Sequence, residues 1–156
     1  DFIYQAAMLH DVGIFMTDCP SLGCHGSRPY ICHGVLGAEL LCQAGRHRHA
    51  SVCERHVGVG LTVEDVRRQG LPLPERDMTP QTPEEVVICY ADKFFSKNEN
   101  PQKPLPMAAI LKGLHRFGPD KSERFLRWAQ RFDPGMSITG CERRSSSAFG
   151  RKTCGR

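Results

Sequence analysis

Apolar residues recur at helical spacing in segment after segment of this chain, and most segments close on a glycine or a proline. Phe2 to Leu9 is apolar and helix-compatible, with Gly13 as its expected stop. Tyr30 to Ala44 places Ile31, Val35, Leu36 and Leu40 near one helical face and ends at Gly45. His47 to His56 reads as a short helix before Gly58 and Gly60. Thr62-Val-Glu-Asp65 resembles a capping box for a charged helix to about Gln69. The strongest start signal is Thr82-Pro83-Glu84-Glu85: a Thr N-cap, Pro at the first helical position and Glu two residues on. That helix is expected to run to about Lys97, with further helices at Leu105–Phe117 and, capped by Asp120, at about 121–132. Residues 14–29 and 71–81 read as loops. No strand alternation stands out, so the fold class is all-α, a helical bundle.

The length of 156 residues fits one domain and buries enough apolar surface to need no staple. The expected domain is 1–133, followed by a basic, Gly- and Ser-rich tail at 134–156 that reads as disordered. The net charge of +4 lies in that tail, which has five basic side chains against one acidic. Residues 1–133 carry sixteen of each sign. The neutral sum argues against nucleic acid as a partner of the globular part. None of the eight cysteines forms a C-x-x-C pair, no run of ~18 apolar residues exists, and no secretory signal stands at the start. The reading is a reduced, cytoplasmic chain with no membrane partner, begun without an initiator Met and so expected to be a fragment.

The chemistry-bearing residues are histidines and aspartates on separate predicted helices. His10-Asp11 lies at a helix end, His33 and His56 on two further helices, and Asp92 on an otherwise apolar face beside Lys93. A buried Asp between Ala91 and Phe94 is costly unless it is paired or metal-bound. Together they can furnish a mixed nitrogen and oxygen site in a bundle core.

Ala-Met-Leu-His10-Asp11-Val-Gly13, then His33-Gly-Val-Leu-Gly, His56-Val-Gly and Tyr-Ala-Asp92-Lys93-Phe, resembles in order the motifs of the HD-domain (HDIG-type) metal-dependent phosphohydrolases, histidine-rich branch. The resemblance spans roughly residues 4–97 and implies an HD-type bundle around one or two divalent transition metals (Mn, Fe, Ni, Co or Zn). It implies one metal on His10, Asp11 and Asp92, and a second on Asp11, His33 and His56. The family's first His precedes the His-Asp pair; none of the nine residues before His10 is a His, so the first helix is expected to be missing. The implied activity is hydrolysis of a phosphate ester or nucleotide by a metal-activated hydroxide. Asp11 and Lys93 would be catalytic, and His25, Arg28 and Lys93 would bind a small phosphorylated substrate. No GYP motif marks the cyclic-di-GMP subclass. Two alternatives stay open: an HD-type mixed-valent diiron oxygenase, and a non-catalytic metal-binding or regulatory module using Cys19, Cys24, His25, Cys32 and His33.

Overall fold

The computed structural model describes residues 1–95 and 103–134. The expected tail at 134–156 and the end of the fifth helix at Lys97 fall largely outside them. The described chain is mostly helical, with seven α-helices: α1 (Phe2–Leu9), α2 (His33–Gln43), α3 (His47–Arg55), α4 (Val63–Gln69), α5 (Pro83–Phe95), α6 (Met107–His115) and α7 (Pro119–Phe132). None is long and apolar enough to cross a membrane.

One region departs from the all-helical expectation. The segment 14–29 is not a plain loop but a 3-10 turn (Val12–Met16) followed by three short strands. These are β1 (Thr17–Cys19), β2 (Cys24–His25) and β3 (Arg28–Pro29). β1 is central, antiparallel to β2 with Asp18 opposite His25, and parallel to β3 with Thr17 opposite Arg28. Strands of two or three residues are too short to display an alternating pattern, so the sequence carries no trace of them.

Gly13 does not stop α1. Asp1 caps that helix at its start by accepting from Ile3 N, and the helix ends at Leu9 with His10 still in helical geometry. Gly13 instead permits a close approach. A Cβ there would lie 2.1 Å from the His33 carbonyl oxygen and 2.5 Å from Gly37 N. On α2, a Cβ at Gly37 would meet Cys53 Sγ at 2.4 Å, and one at Gly34 would meet the Cys53 carbonyl oxygen at 2.8 Å. Three glycines thus press the 3-10 turn, α2 and α3 together almost backbone to backbone. That contact fixes the distance between the segments bearing His10, His33 and His56.

The α2–α3 join is a Schellman motif: Gly45 is left-handed (φ 72°), Gly45 N donates to Cys42 O, and Arg46 N donates to Leu41 O. Ala38, Leu41, Ala50 and Cys53 bury the seam between the two helices. Arg55 reaches from α3 to α5 and donates from Nη1 to both carboxylate oxygens of the buried Glu85, at 3.0 and 3.1 Å. The predicted Thr82 cap is present, with Glu85 N donating to Thr82 Oγ1.

The capping box at Thr62 forms as expected: Asp65 N donates to Thr62 Oγ1, and Thr62 N to Asp65 Oδ2. Asp65 is buried, and it also accepts from the buried Lys121 of α7. This ion pair fastens α7 to α4. The last core, Val59, Tyr90, Ile110, Leu114, Phe125 and Ala129, binds the α6–α7 pair to α5. The N-cap of α7 is Gly118, with Pro119 at the first helical position, rather than the expected Asp120.

Candidate functional site

Each histidine of the candidate site is held by the same local device. His10 Nδ1 donates to Ala7 O at 2.6 Å, His33 Nδ1 to Tyr30 O at 2.7 Å, and His56 Nδ1 to Cys53 O at 2.7 Å. A carbonyl oxygen only accepts, so the proton stands on Nδ1 in all three rings and every Nε2 points inward as a donor of its lone pair. The carbonyl lies three residues earlier in each case, at a helix end or helix start, where backbone oxygens are within a side chain's reach. His10 and His56 are the C-caps of α1 and α3, and His33 opens α2.

The inward nitrogens converge. His33 Nε2 is 3.2 Å from His56 Nε2, and His56 Nε2 is 3.1 Å from Asp11 Oδ1. His33 Nε2 is 3.4 Å from the same oxygen. His10 Nε2 stands 3.5 Å from Asp11 Oδ2 and 3.6 Å from Asp92 Oδ1, and Asp92 Oδ2 pairs with Lys93 Nζ at 2.8 Å. His33 and His56 are buried, whereas the Asp11 side chain is 41% exposed. Asp11 is therefore the opening of the centre. His10, Asp11, His33, His56 and Asp92 come together from four segments distant in sequence.

Lone pairs and carboxylates facing one another repel unless a positive charge sits among them. One proton on His56 Nε2 would satisfy both His33 and Asp11. His10, Asp11 and His56 also offer three ligand atoms within 4.8 Å of one another, a geometry able to hold a metal ion. The electrostatics agree with an electron-rich centre. Burial lowers the proton affinity of His10, but the Asp92 and Asp11 carboxylates outweigh it and raise its pKa above the usual histidine range. Burial followed by the neighbouring His56 lowers that of His33. Burial raises Asp11 and Asp92, yet their histidine partners, with Lys93 for Asp92, hold both below the usual carboxylate range.

Three supporting residues were not singled out by the sequence. Tyr30 lays its ring on His33, with centroids 4.7 Å apart, and burial and the Asp11 charge push its hydroxyl up to about 12. Cys53 Sγ donates to His10 O at 2.9 Å, and Cys89 Sγ to His56 O at 3.3 Å. Burial pushes both thiols up to about 12, so they stay neutral donors that anchor the backbone of two histidines. The sequence shows them only as small apolar residues at helical spacing.

Two expected residues are not brought in. His25 and Arg28 are exposed on β2 and β3. Arg28 lines a different cavity of about 380 Å³ with Met16, Glu39 and Pro72 among its walls. The cysteine cluster does not assemble either: Cys24 Sγ donates to Leu22 O and Cys32 Sγ to Pro72 O, and the six described cysteines are free.

No family model matches the chain, and no solved structure matches it. Curated relatives do. An uncharacterised protein of Methanocaldococcus jannaschii is 37% identical over 96 residues, covering 61% of this chain and 49% of that protein. A tRNA (cytidine(56)-2'-O)-methyltransferase of Picrophilus torridus is 34% identical over 95 residues, covering 60% of this chain and 24% of that one. A protein of the same name from Thermoplasma volcanium is 28% identical over 129 residues, covering 81% and 33%. Two of these relatives are named as tRNA-modifying enzymes. The chain spans from about a quarter to about half of the length of these relatives.

Those names overturn the activity expected from the motifs. They designate methyl transfer to tRNA, not hydrolysis of phosphate esters, and no family model supports the HD-domain phosphohydrolase assignment. The oxygenase and regulatory-module alternatives gain no support from them. The divalent-metal cofactor and the small phosphorylated substrate fall with the hydrolase, and so does the argument against a nucleic-acid partner. The physical reason is that Nδ1–H bonds to a carbonyl three residues back, with tertiary packing of Asp11 and Asp92, suffice to set Nε2 atoms beside carboxylates without any particular reaction being required. The constellation fixes a charge environment and does not specify a reaction.

Proposed function

We propose that this chain serves 2'-O-methylation of tRNA, as a helical module of a methyltransferase acting on that RNA. The observation that carries the reading is the likeness to two relatives bearing that name, one of them along 81% of this chain. The methyl donor of such an enzyme is S-adenosylmethionine. The centre described above does not fit that donor: each of its five side chains stands 3.1–3.6 Å from its nearest neighbour in the series His33, His56, Asp11, His10, Asp92, which leaves no space of nucleoside size among them. No methyl-transfer step is therefore assigned to these residues. A cytoplasmic location belongs to the same reading, since tRNA is its substrate.

Within the module, His10, Asp11, His33, His56 and Asp92 form the working centre, with Lys93 balancing Asp92. Asp11 is its exposed member, and a carboxylate held ionised can accept a hydrogen bond from a ribose hydroxyl, the group that distinguishes RNA. The test is a map of ribose methyls on tRNA from source cells lacking the protein that carries this chain. Loss of one 2'-O-methyl, restored by the wild-type gene and reduced about tenfold or more with Asp11→Asn, is the expected result; each factor of ten is about 1.4 kcal/mol. An unchanged map would overturn the reading.

A further inference from the structure

The neutral sum of residues 1–133 conceals a separation of charge. Residues 1–95 carry eight basic and twelve acidic side chains, a net of −4. Residues 103–134, the α6–α7 hairpin with its approach, carry seven basic and three acidic, a net of +4.

The two sets of cations are also used differently. Six of the eight in residues 1–95 are held by carboxylates: Arg48 by Glu84, Arg55 by Glu85, Arg67 by Glu75, Arg68 by Asp65, Arg76 by Glu54 and Lys93 by Asp92. On the hairpin, Lys121 is committed to Asp65, and Arg124 donates to the carbonyls of Val59 and Gly60. Lys112, Arg116, Arg127 and Arg131 are exposed and form no ion pair with a described residue. Their spacing is ordered. Lys112 and Arg116 stand four residues apart across the end of α6, and Arg127 and Arg131 four apart on α7, so each pair shares one face of its helix. Phe117, 59% exposed at the turn, adds an aromatic surface beside Arg116.

We infer that the α6–α7 hairpin is a docking surface for the phosphate backbone of RNA. The choice of RNA over an acidic protein rests on the proposed role in tRNA methylation; the charge pattern alone calls for a polyanion. Exposed guanidinium groups with no carboxylate partner, Arg131 lying over the Phe132 ring among them, match phosphate oxygens in pairs, and an exposed aromatic suits an unstacked base. Each phosphate neutralised releases a counterion, so binding through this face falls steeply with salt.

The test measures binding of a fluorescently labelled tRNA transcript to the whole chain by anisotropy across a salt series. Arg127→Ala/Arg131→Ala is compared with Arg46→Ala/Arg67→Ala, an exposed pair on the acidic body. Alanine keeps helix propensity, and circular dichroism verifies that each variant is folded. The hairpin variant is expected to bind about tenfold more weakly, with a salt slope reduced by about two, while the body variant stays within about twofold. Equal losses in the two variants, no tRNA binding by the wild type, or polyglutamate binding as tightly as tRNA would each overturn the proposal. Binding that behaves as expected while the cellular methyl map is unchanged would uphold the surface and sink the methylation reading.

Discussion

Residues 1–95 and the α6–α7 hairpin are built on opposite plans. The first region closes its charges on one another, presses backbone to backbone through Gly13, Gly34 and Gly37, and points three imidazole lone pairs at two carboxylates. The second packs a conventional apolar face, with Ile110, Leu114, Phe125 and Ala129 inside, and leaves Lys112, Arg116, Arg127 and Arg131 outside. One region gathers lone pairs and carboxylates into a centre; the other carries exposed cations on its surface. One buried ion pair, Asp65 with Lys121, joins them.

The largest expected effect comes from cutting that join. Lys121→Met strips Asp65 of its buried cation, leaves it only the exposed Arg68, and should cost about 3 kcal/mol in chemical denaturation, the lower end for a broken buried pair. The same pair gives the fold an acid limb. Burial raises the Asp65 carboxyl, but Lys121 and the Thr62 cap outweigh it and hold its pKa below the usual range. The stabilisation is thus complete above the unfolded value of about 3.9 and is lost as pH falls through the folded one. Asp65→Asn should flatten stability against pH in that window; an unchanged acid limb would show that other carboxylates govern it.

A smaller loss is expected at the tight contact. Gly13→Ala places a methyl 2.1 Å from the His33 carbonyl oxygen, a backbone atom that cannot swing aside, and should cost about 1–3 kcal/mol. The hairpin should respond in the opposite sense. Gly113 in α6 has open space where a Cβ would stand, so Gly113→Ala should stabilise by about 0.5–1 kcal/mol. Matched thermal melts of the two variants measure the contrast directly, and destabilisation of similar size at both positions would erase it.

The sequence was most legible where local chemistry decides structure. The Thr62 capping box and the Thr82-Pro83 start signal place α4 and α5, apolar spacing places α2, and the glycines that follow bound α3. It was illegible where a long-range contact decides: Gly13 read as a helix stop because nothing local announces that α2 lies against it. His10, Asp11, His33, His56 and Asp92 were chosen by pattern and do meet, while His25 and Arg28 were chosen only for lying in the intervening loop and do not. The activity could not be read from the centre, because its donor set is compatible with several reactions. The net charge argues against a nucleic-acid partner only because a sum discards position; counted separately, Glu54, Glu75, Glu84 and Glu85 serve arginines of their own region, and Arg127 and Arg131 form no ion pair with a described residue.

The most direct measurement is ultraviolet cross-linking of the chain to a tRNA transcript, with the attached peptides identified by mass spectrometry. The account predicts cross-links concentrated in residues 107–132, with the exposed Phe117 among the acceptors. Cross-links confined to residues 1–95, with the hairpin untouched, would contradict it.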